Sequence, residues 1–168
     1  MVRNHHATCA QSNALTIRKG RLHDLSAVIS LERAAFGRQA LDPSTLFWLL
    51  LRRWSGFIVA EITGNIVGYA ITRVSYWPRW AKVGGITSIA IHPEHYRKGF
   101  GRQLMLAAIE FLTNTGVKRI ELEVNIKNEP AKALYHNLGF ILDRNLPNYY
   151  GPGEDGIRMV LQAKREEH

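Results

Sequence analysis

Residues 88–102 read Ser88-Ile89-Ala90-Ile91-His92-Pro93-Glu94-His95-Tyr96-Arg97-Lys98-Gly99-Phe100-Gly101-Arg102. An apolar strand runs into a basic, glycine-bearing loop, and the loop opens into a helical pattern. The first N–H groups of a helix have no partner inside it and point outward, so with the helix dipole they form an anion site. Gly99 and Gly101 let the backbone approach a phosphate closely. Arg97, Lys98 and Arg102 add positive charge. A pyrophosphate is the natural ligand for such a loop. A plain strand-to-helix turn with basic residues facing water fits the same letters, and this stretch alone leaves both readings open.

Working outward, residues 119–124 form a predicted strand, and residues 128–138 a short helix stopped by Gly139. Asn128, Ala131 and Tyr135 are spaced three and four apart and so share one helix face. That face suits a ligand channel. It equally suits a capping amide, a packing alanine and a half-buried phenol. Strands are expected at 140–143 and 157–161, joined by a turn-rich segment at 145–156.

Upstream, residues 86–91 are a strand preceded by an aromatic loop at 75–84, with Tyr76, Trp77 and Trp80 around Pro78. Segments 57–62 and 66–74 flank Gly64-Asn65 as an antiparallel hairpin. Leu25, Val28, Ile29, Leu31 and Ala35 give residues 24–36 a helical stripe. Asp42-Pro43-Ser44 opens a second helix ending near Arg52. Residues 14–18 alternate as a strand, and 99–112 carry Leu104, Ala107, Ala108 and Phe111 on one helix face. The order β, α, α, β, β, β, α, β, α, β, β predicts one α/β (α+β) domain. Its seven-stranded sheet is mixed but mostly antiparallel, flanked by four helices. Exposed edges at 14–18 or 157–161 leave both a monomer and a homodimer open.

The 168-residue length suits one domain. Cys9 is the one cysteine, which excludes an internal disulfide and fits a cytoplasmic protein. No apolar run is long enough for a membrane span; the longest, at 47–51, ends at Arg52 and Arg53. Residues 1–13 lack the apolar stretch of a secretion signal and read as a flexible polar lead-in to a domain at 14–168. His5 and His6 within it read as solvated, and no metal is expected. Twenty-two Lys and Arg against 14 Asp and Glu give a net charge of +8, which favours phosphates and acidic surfaces. That charge is spread thinly, and no zinc spacing, helix-turn-helix or aromatic RNA-binding motif accompanies it. Nucleic acid is therefore not expected as the main partner.

The two central stretches, in this order, resemble the GNAT superfamily of acetyl-CoA-dependent N-acetyltransferases. More closely they resemble its RimI-like branch, which acetylates protein N-termini. The resemblance spans residues 15–161. Its branch-specific motifs are Leu122-Glu123-Val124, the 128–140 pattern, Asn148-Tyr149-Tyr150, Gly153-Glu154-Asp155 and Met159. It implies a GNAT fold whose central strands, at 88–91 and 119–124, splay apart. The pantetheine arm of the co-substrate acetyl-CoA would then pair with backbone at Ile89, Ala90 and Ile91. Its pyrophosphate would rest on the N–H groups of Arg97, Lys98, Gly99, Phe100, Gly101 and Arg102. Asn128 would bond the arm, Ala131 would line it, and Tyr135 would stand near the sulfur.

An amine attacks a thioester directly, so no enzyme nucleophile is required. The amine must be neutral, and a free α-amino group has a pKa of about 8, so a modest base suffices. By resemblance Glu123 is that base and Tyr135 the acid for the departing thiolate, while a backbone N–H of the 86–91 strand steadies the oxyanion. Glu123 reads alternatively as a structural carboxylate paired with Arg119 or Lys127. Phe36, Tyr149 and Tyr150 would line the pocket for the acceptor's N-terminus, with a ribosomal protein among the candidates. Two positions depart from the pattern. Tyr96 stands where the superfamily usually has Gln or Arg, and Gly85 stands where some relatives hold a water with histidine, which leaves more to Glu123. A small amine or lysine side chain is the alternative acceptor. A non-catalytic CoA-binding module and a ribosome- or RNA-binding module are the distant alternatives.

Overall fold

The computed structural model of the protein describes residues 14–51, 55–76 and 81–163. His5, His6, Cys9, Arg52, Arg53, Trp77, Pro78 and Trp80 lie outside the described residues. In chain order the elements are β1 (Thr16–Lys19), α1 (Leu25–Phe36), α2 (Pro43–Leu51), β2 (Ser55–Ile62), β3 (Asn65–Tyr76) and β4 (Lys82–Ile91). They continue with α3 (Phe100–Asn114), β5 (Arg119–Asn125), α4 (Glu129–Asn137), β6 (Ile141–Gly151) and β7 (Glu154–Gln162). One seven-stranded sheet has the order β1-β2-β3-β4-β5-β7-β6. Every pairing is antiparallel except β4 with β5. A parallel pair needs a crossover connection, and α3 supplies it.

Each sheet face carries its own core. On one, α3 buries Leu104, Met105, Ala108 and Leu112 against Ile58, Ala70, Ile120, Leu122 and Phe140. Fully burying a Leu or Met contributes roughly 1.5–3 kcal/mol. On the other, Val28 and Leu31 of α1 and Leu46 of α2 pack on Phe57, Val59, Tyr69, Ile71 and Ala90. That second layer covers β2, β3 and β4 and includes no residue of β5, β6 or β7. Among the described residues no helix is long and apolar enough to cross a membrane.

Caps explain the helix starts. Asp42 Oδ1 accepts from the N–H groups of Ser44 (2.9 Å) and Thr45 (3.1 Å), with Pro43 at the first helical position of α2. Asn128 Oδ1 accepts from Ala131 N at 3.2 Å and caps α4.

Three expectations change. Residues 75–84 are not a long loop, because Val74, Ser75 and Tyr76 pair with Gly84, Val83 and Lys82 in the arms of a hairpin. Residues 145–156 are not a connecting turn either. Their ladder closes again at Gly151↔Glu154 after a register shift, so the proline- and glycine-rich letters form the end of a β6–β7 hairpin. Finally, 157–161 is no edge. β7 inserts between β5 and β6, which leaves β1 and β6 outermost.

Candidate active site

The parallel ladder is short. It runs from Val83↔Arg119 to Ile86↔Leu122 and stops. Beyond it β4 stays with β3 as far as Gly68↔Ile91, while β5 stays with β7 as far as Asn125↔Gly156. The cause is local. Ile71 pairs with Ser88 and Thr72 with Ile86, so Thr87 is an extra residue in β4. A bulge bends its strand and increases twist, and here it sits where the two strands part. The backbone of Ile89, Ala90 and Ile91 therefore faces a gap on the β5 side.

That gap leads to the basic loop. Arg97 (φ 60°) and Gly99 (φ 78°) are both left-handed. Such alternation turns successive N–H groups toward one concavity that suits an anion. Gln103 N donates to Gly99 O at 3.2 Å and begins the α3 ladder. The N–H groups of Arg97, Lys98, Gly99, Phe100, Gly101 and Arg102 have no backbone acceptor among the described residues. A side chain on Gly99 would meet open space, whereas one on Gly101 would touch Leu134 and Ile91 at 3.7 and 3.9 Å. The loop thus opens into the cleft between α3, α4 and β4. Tyr96 is exposed, so the backbone geometry does not depend on it.

On the far wall Asn128, Ala131 and Tyr135 share a face of α4. Asn128 spends its carbonyl on the cap, which leaves its amide N–H groups as donors. Tyr135 is buried beside Phe140, with ring centroids 6.0 Å apart. Burial raises its phenol to about 12.

Glu123 stands on β5 just past the last β4 pair. It does not pair with Arg119 or Lys127. Arg158 of β7, its register partner, donates from Nε to Glu123 Oε1 at 3.0 Å, and its Nη2 lies at ion-pair distance from the same oxygen, also at 3.0 Å. Oε2 receives no donor from the described residues. Tyr149 and Tyr150 lie edge to face at 5.0 Å. Burial raises both phenols, and the negative charge of Glu123 adds to the rise. They stand on the hairpin end, where Asp155 Oδ1 accepts from Asn148 N (2.8 Å) and Asn148 Oδ1 accepts from Gly153 N (2.7 Å). The quoted Asn148 and Gly153-Glu154-Asp155 letters are thus the braces of the tyrosine-bearing tip. Phe36 ends α1, partly exposed. In the turn after it, Gln39 Nε2 donates to Glu154 on the hairpin, which ties the chain following Phe36 to the element that carries the two tyrosines.

Three residues here escaped the sequence reading. Arg158 and Arg73 are placed by strand register, which no local pattern encodes. Glu32 was findable, since it follows Val28 by four on the apolar stripe. It is only 2% exposed. Its carboxylate accepts from Leu41 N (2.9 Å) and Ser88 Oγ (3.3 Å), and Ser88 Oγ also shares a 2.8 Å bond with Tyr69 Oη. Burial raises the Glu32 pKa against these two bonds. The residue ties the chain after Phe36 to the bulged strand.

A strand gap, an anion loop and a carboxylate-phenol pair at the gap's end together suit acyl transfer from a long phosphate-bearing donor. Residues 25–140 match the acetyltransferase (GNAT) family. Over 153 residues the chain is 32% identical to an N-alpha-acetyltransferase of Sulfurisphaera tokodaii, covering 86% of this chain and 90% of that protein. It is 31% identical over 154 residues to an N-alpha-acetyltransferase of Saccharolobus solfataricus, covering 86% and 91%. Among solved structures, the ribosomal-protein-S18-alanine N-acetyltransferase from Escherichia coli superposes with a TM-score of 0.79 at 28% identity, covering 92% of this chain and 99% of that one.

Proposed function

The chain belongs to the acetyltransferase (GNAT) family and is an N-acetyltransferase; from that premise we propose that its acceptor is the free α-amine of a protein or peptide, acetylated from acetyl-CoA in a ternary complex. The observation that carries this reading is Glu123, with Oε1 held by Arg158 and Oε2 left free among the described residues, just past the point where β4 and β5 part; Phe36, Tyr149 and Tyr150 would line the acceptor's path to it. A flexible chain end can reach such a recessed carboxylate. Relatives named for N-terminal acetylation support the same acceptor.

In this reading the N–H groups of Arg97, Lys98, Gly99, Phe100, Gly101 and Arg102 hold the pyrophosphate. Ile89, Ala90 and Ile91 pair with the pantetheine arm, which Asn128 and Ala131 flank. A β4 backbone N–H steadies the developing oxyanion. Glu123 Oε2, directly or through a water, takes the proton the amine must lose. The new N–C bond forms as the C–S bond breaks, and the Tyr135 hydroxyl donates a hydrogen bond to the departing sulfur. The catalytic domain is residues 14–168, the compartment is the cytoplasm, and a ribosomal protein N-terminus is a candidate acceptor.

The test is an acceptor screen with acetyl-CoA, read as thiol release. Peptides with a free N-terminus are set against N-terminally blocked lysine peptides, polyamines and aminoglycosides. Turnover of the free-N-terminus peptides alone supports the reading. Turnover of small amines or lysine peptides alone sinks it.

A further inference from the structure

Gly85 is the position where a side chain is missing and another has moved in. A Cβ built there would lie 2.8 Å from Arg73 Nε and 2.9 Å from Arg73 Cζ. The Arg73 side chain therefore lies over Gly85, on the face that Gly85 shares with its parallel partner Glu121. β5 shows which face that is. Ile120, Leu122 and Val124 are buried in the core that α3 and α4 share, so Glu121 and Glu123 point to the opposite side. The α1–α2 layer does not extend over this half of the sheet.

A groove of about 660 Å³ occupies this open face. Arg73, Arg119, Arg144 and Arg158 line it, against Glu121 and Asp143. Three of the four cations are already matched. Arg119 bonds Glu121 (2.9 Å) and Asp143 (3.0 Å), Arg144 bonds Asp143 (3.1 Å), and Arg158 bonds Glu123 (3.0 Å). Among the described residues, no carboxylate lies within ion-pair distance of Arg73. Arg158 links the groove to Glu123, since it lines the one and bonds the other.

Distance along the sheet sets which part of an acceptor would meet Arg73. Gly85 is level with Glu121, two residues before Glu123. Two strand residues span about 7 Å, and an extended peptide covers that in two steps. An amine held at Glu123 thus places the second or third acceptor residue over Arg73. A guanidinium recognises a carboxylate with paired, charge-assisted hydrogen bonds.

We propose that Arg73 is a specificity-determining residue that selects acceptors with an acidic side chain at the second or third position. This inference rests on the protein N-terminus reading of the site. The groove is then the acceptor's track. Gly85 keeps it open by giving the guanidinium room, and the excess of cations repels basic N-termini.

The experiment compares three peptides with one first residue and Glu-Glu, Gln-Gln or Lys-Lys at positions two and three. The enzyme is tested as wild type, Arg73→Gln, Arg73→Lys and Arg73→Glu. Acetyl-CoA titration confirms that each variant folds. Hydrogen bonds to charged groups predict a wild-type kcat/KM for the Glu peptide about 10-fold or more above the Gln peptide, carried mainly by KM. Arg73→Gln brings that ratio to about one, Arg73→Lys keeps the order, and Arg73→Glu places the Lys peptide first. Equal wild-type kcat/KM for the Glu and Gln peptides overturns the proposal. So does a Glu-over-Gln ratio that survives Arg73→Gln. If no peptide is acetylated while small amines are, the N-terminus reading fails and takes this inference with it. If every peptide is acetylated without order, only this inference fails.

Discussion

At the scale of single residues, the burial of Tyr135 decides what kind of acid it is. Its hydroxyl sits at about 12, while an ordinary thiol sits at about 8.5. Handing a proton outright to a thiolate would be uphill by roughly 3.5 units, or about 5 kcal/mol. In the proposed reaction the phenol would therefore serve as a neutral hydrogen-bond donor to sulfur rather than hand over its proton. Tyr135→Phe is expected to lower kcat by about 100-fold, as loss of one preorganised hydrogen-bond donor does, while acetyl-CoA affinity stays within about threefold. Steady-state rates beside calorimetric titration measure both. A wild-type rate that falls near pH 9–10, with a limb that Tyr135→Phe removes, would contradict the buried phenol. The sequence displayed Tyr135 and Glu123 because their neighbours form short motifs. It hid Arg158 and Arg73, because Arg158 meets Glu123 across strands 35 residues apart, and Arg73 meets Gly85 through the register of a hairpin whose arms were read as a loop. The rival reading of Glu123 was half right in kind, since the carboxylate is ion-paired, but its partner lies 35 residues away.

At the scale of elements, the strongest local tie joins β1 to the start of α1. Asp24 is 4% exposed and accepts from Arg18 NH1 (2.8 Å), Arg18 NH2 (2.9 Å) and Arg21 N (2.8 Å). Chiefly the Arg18 bonds lower its pKa from 3.8 to about 2. A carboxylate depressed in the folded state adds stability above its unfolded pKa and loses it as pH falls through the folded value. The difference here corresponds to about 2 kcal/mol. Asp24→Asn should therefore cost about that much at pH 7, and the gap to wild type should close as pH falls from about 4 toward 2. Urea unfolding at a series of pH values reads it directly, and a gap that persists at pH 2 would count against the ion pair. Elements with their own periodicity were legible in the letters. α1, α3 and α4 carry apolar stripes with caps or glycines at their ends. The far end of β6 was not, because Pro147, Asn148 and Gly151 are loop letters in isolation, yet all three fall within the strand, whose ladder with β7 closes again at Gly151↔Glu154.

At the scale of the whole molecule, the sheet is two halves joined at one seam. β1 to β4, with α1 and α2, meet β5, β7 and β6 through the four residue pairs of the β4–β5 ladder and the α3-side core. The alternation of strands and helices predicted such a sheet, and the family resemblance placed its gap. What opens the gap, the extra Thr87 in β4, is a single residue that no periodicity flags. A ligand lying between β4 and β5 as an added strand would bond one half along Ile89–Ile91 and contact the other through α4, so it would staple the seam. At 100 times its Kd a ligand adds about 2.7 kcal/mol, which in a domain of this size raises Tm by about 5–10 °C. Hydrogen exchange locates the effect. Acetyl-CoA is expected to slow amides in the basic loop, along residues 89–91 and across residues 123–125. A nucleotide diphosphate without the pantetheine arm is expected to slow the loop alone, with a smaller Tm shift. Protection by acetyl-CoA confined to residues 97–102 would mean that the coenzyme rests on the anion site without entering the seam. The assignment of Glu123 and Tyr135 to the reacting end of that ligand would then fail with it.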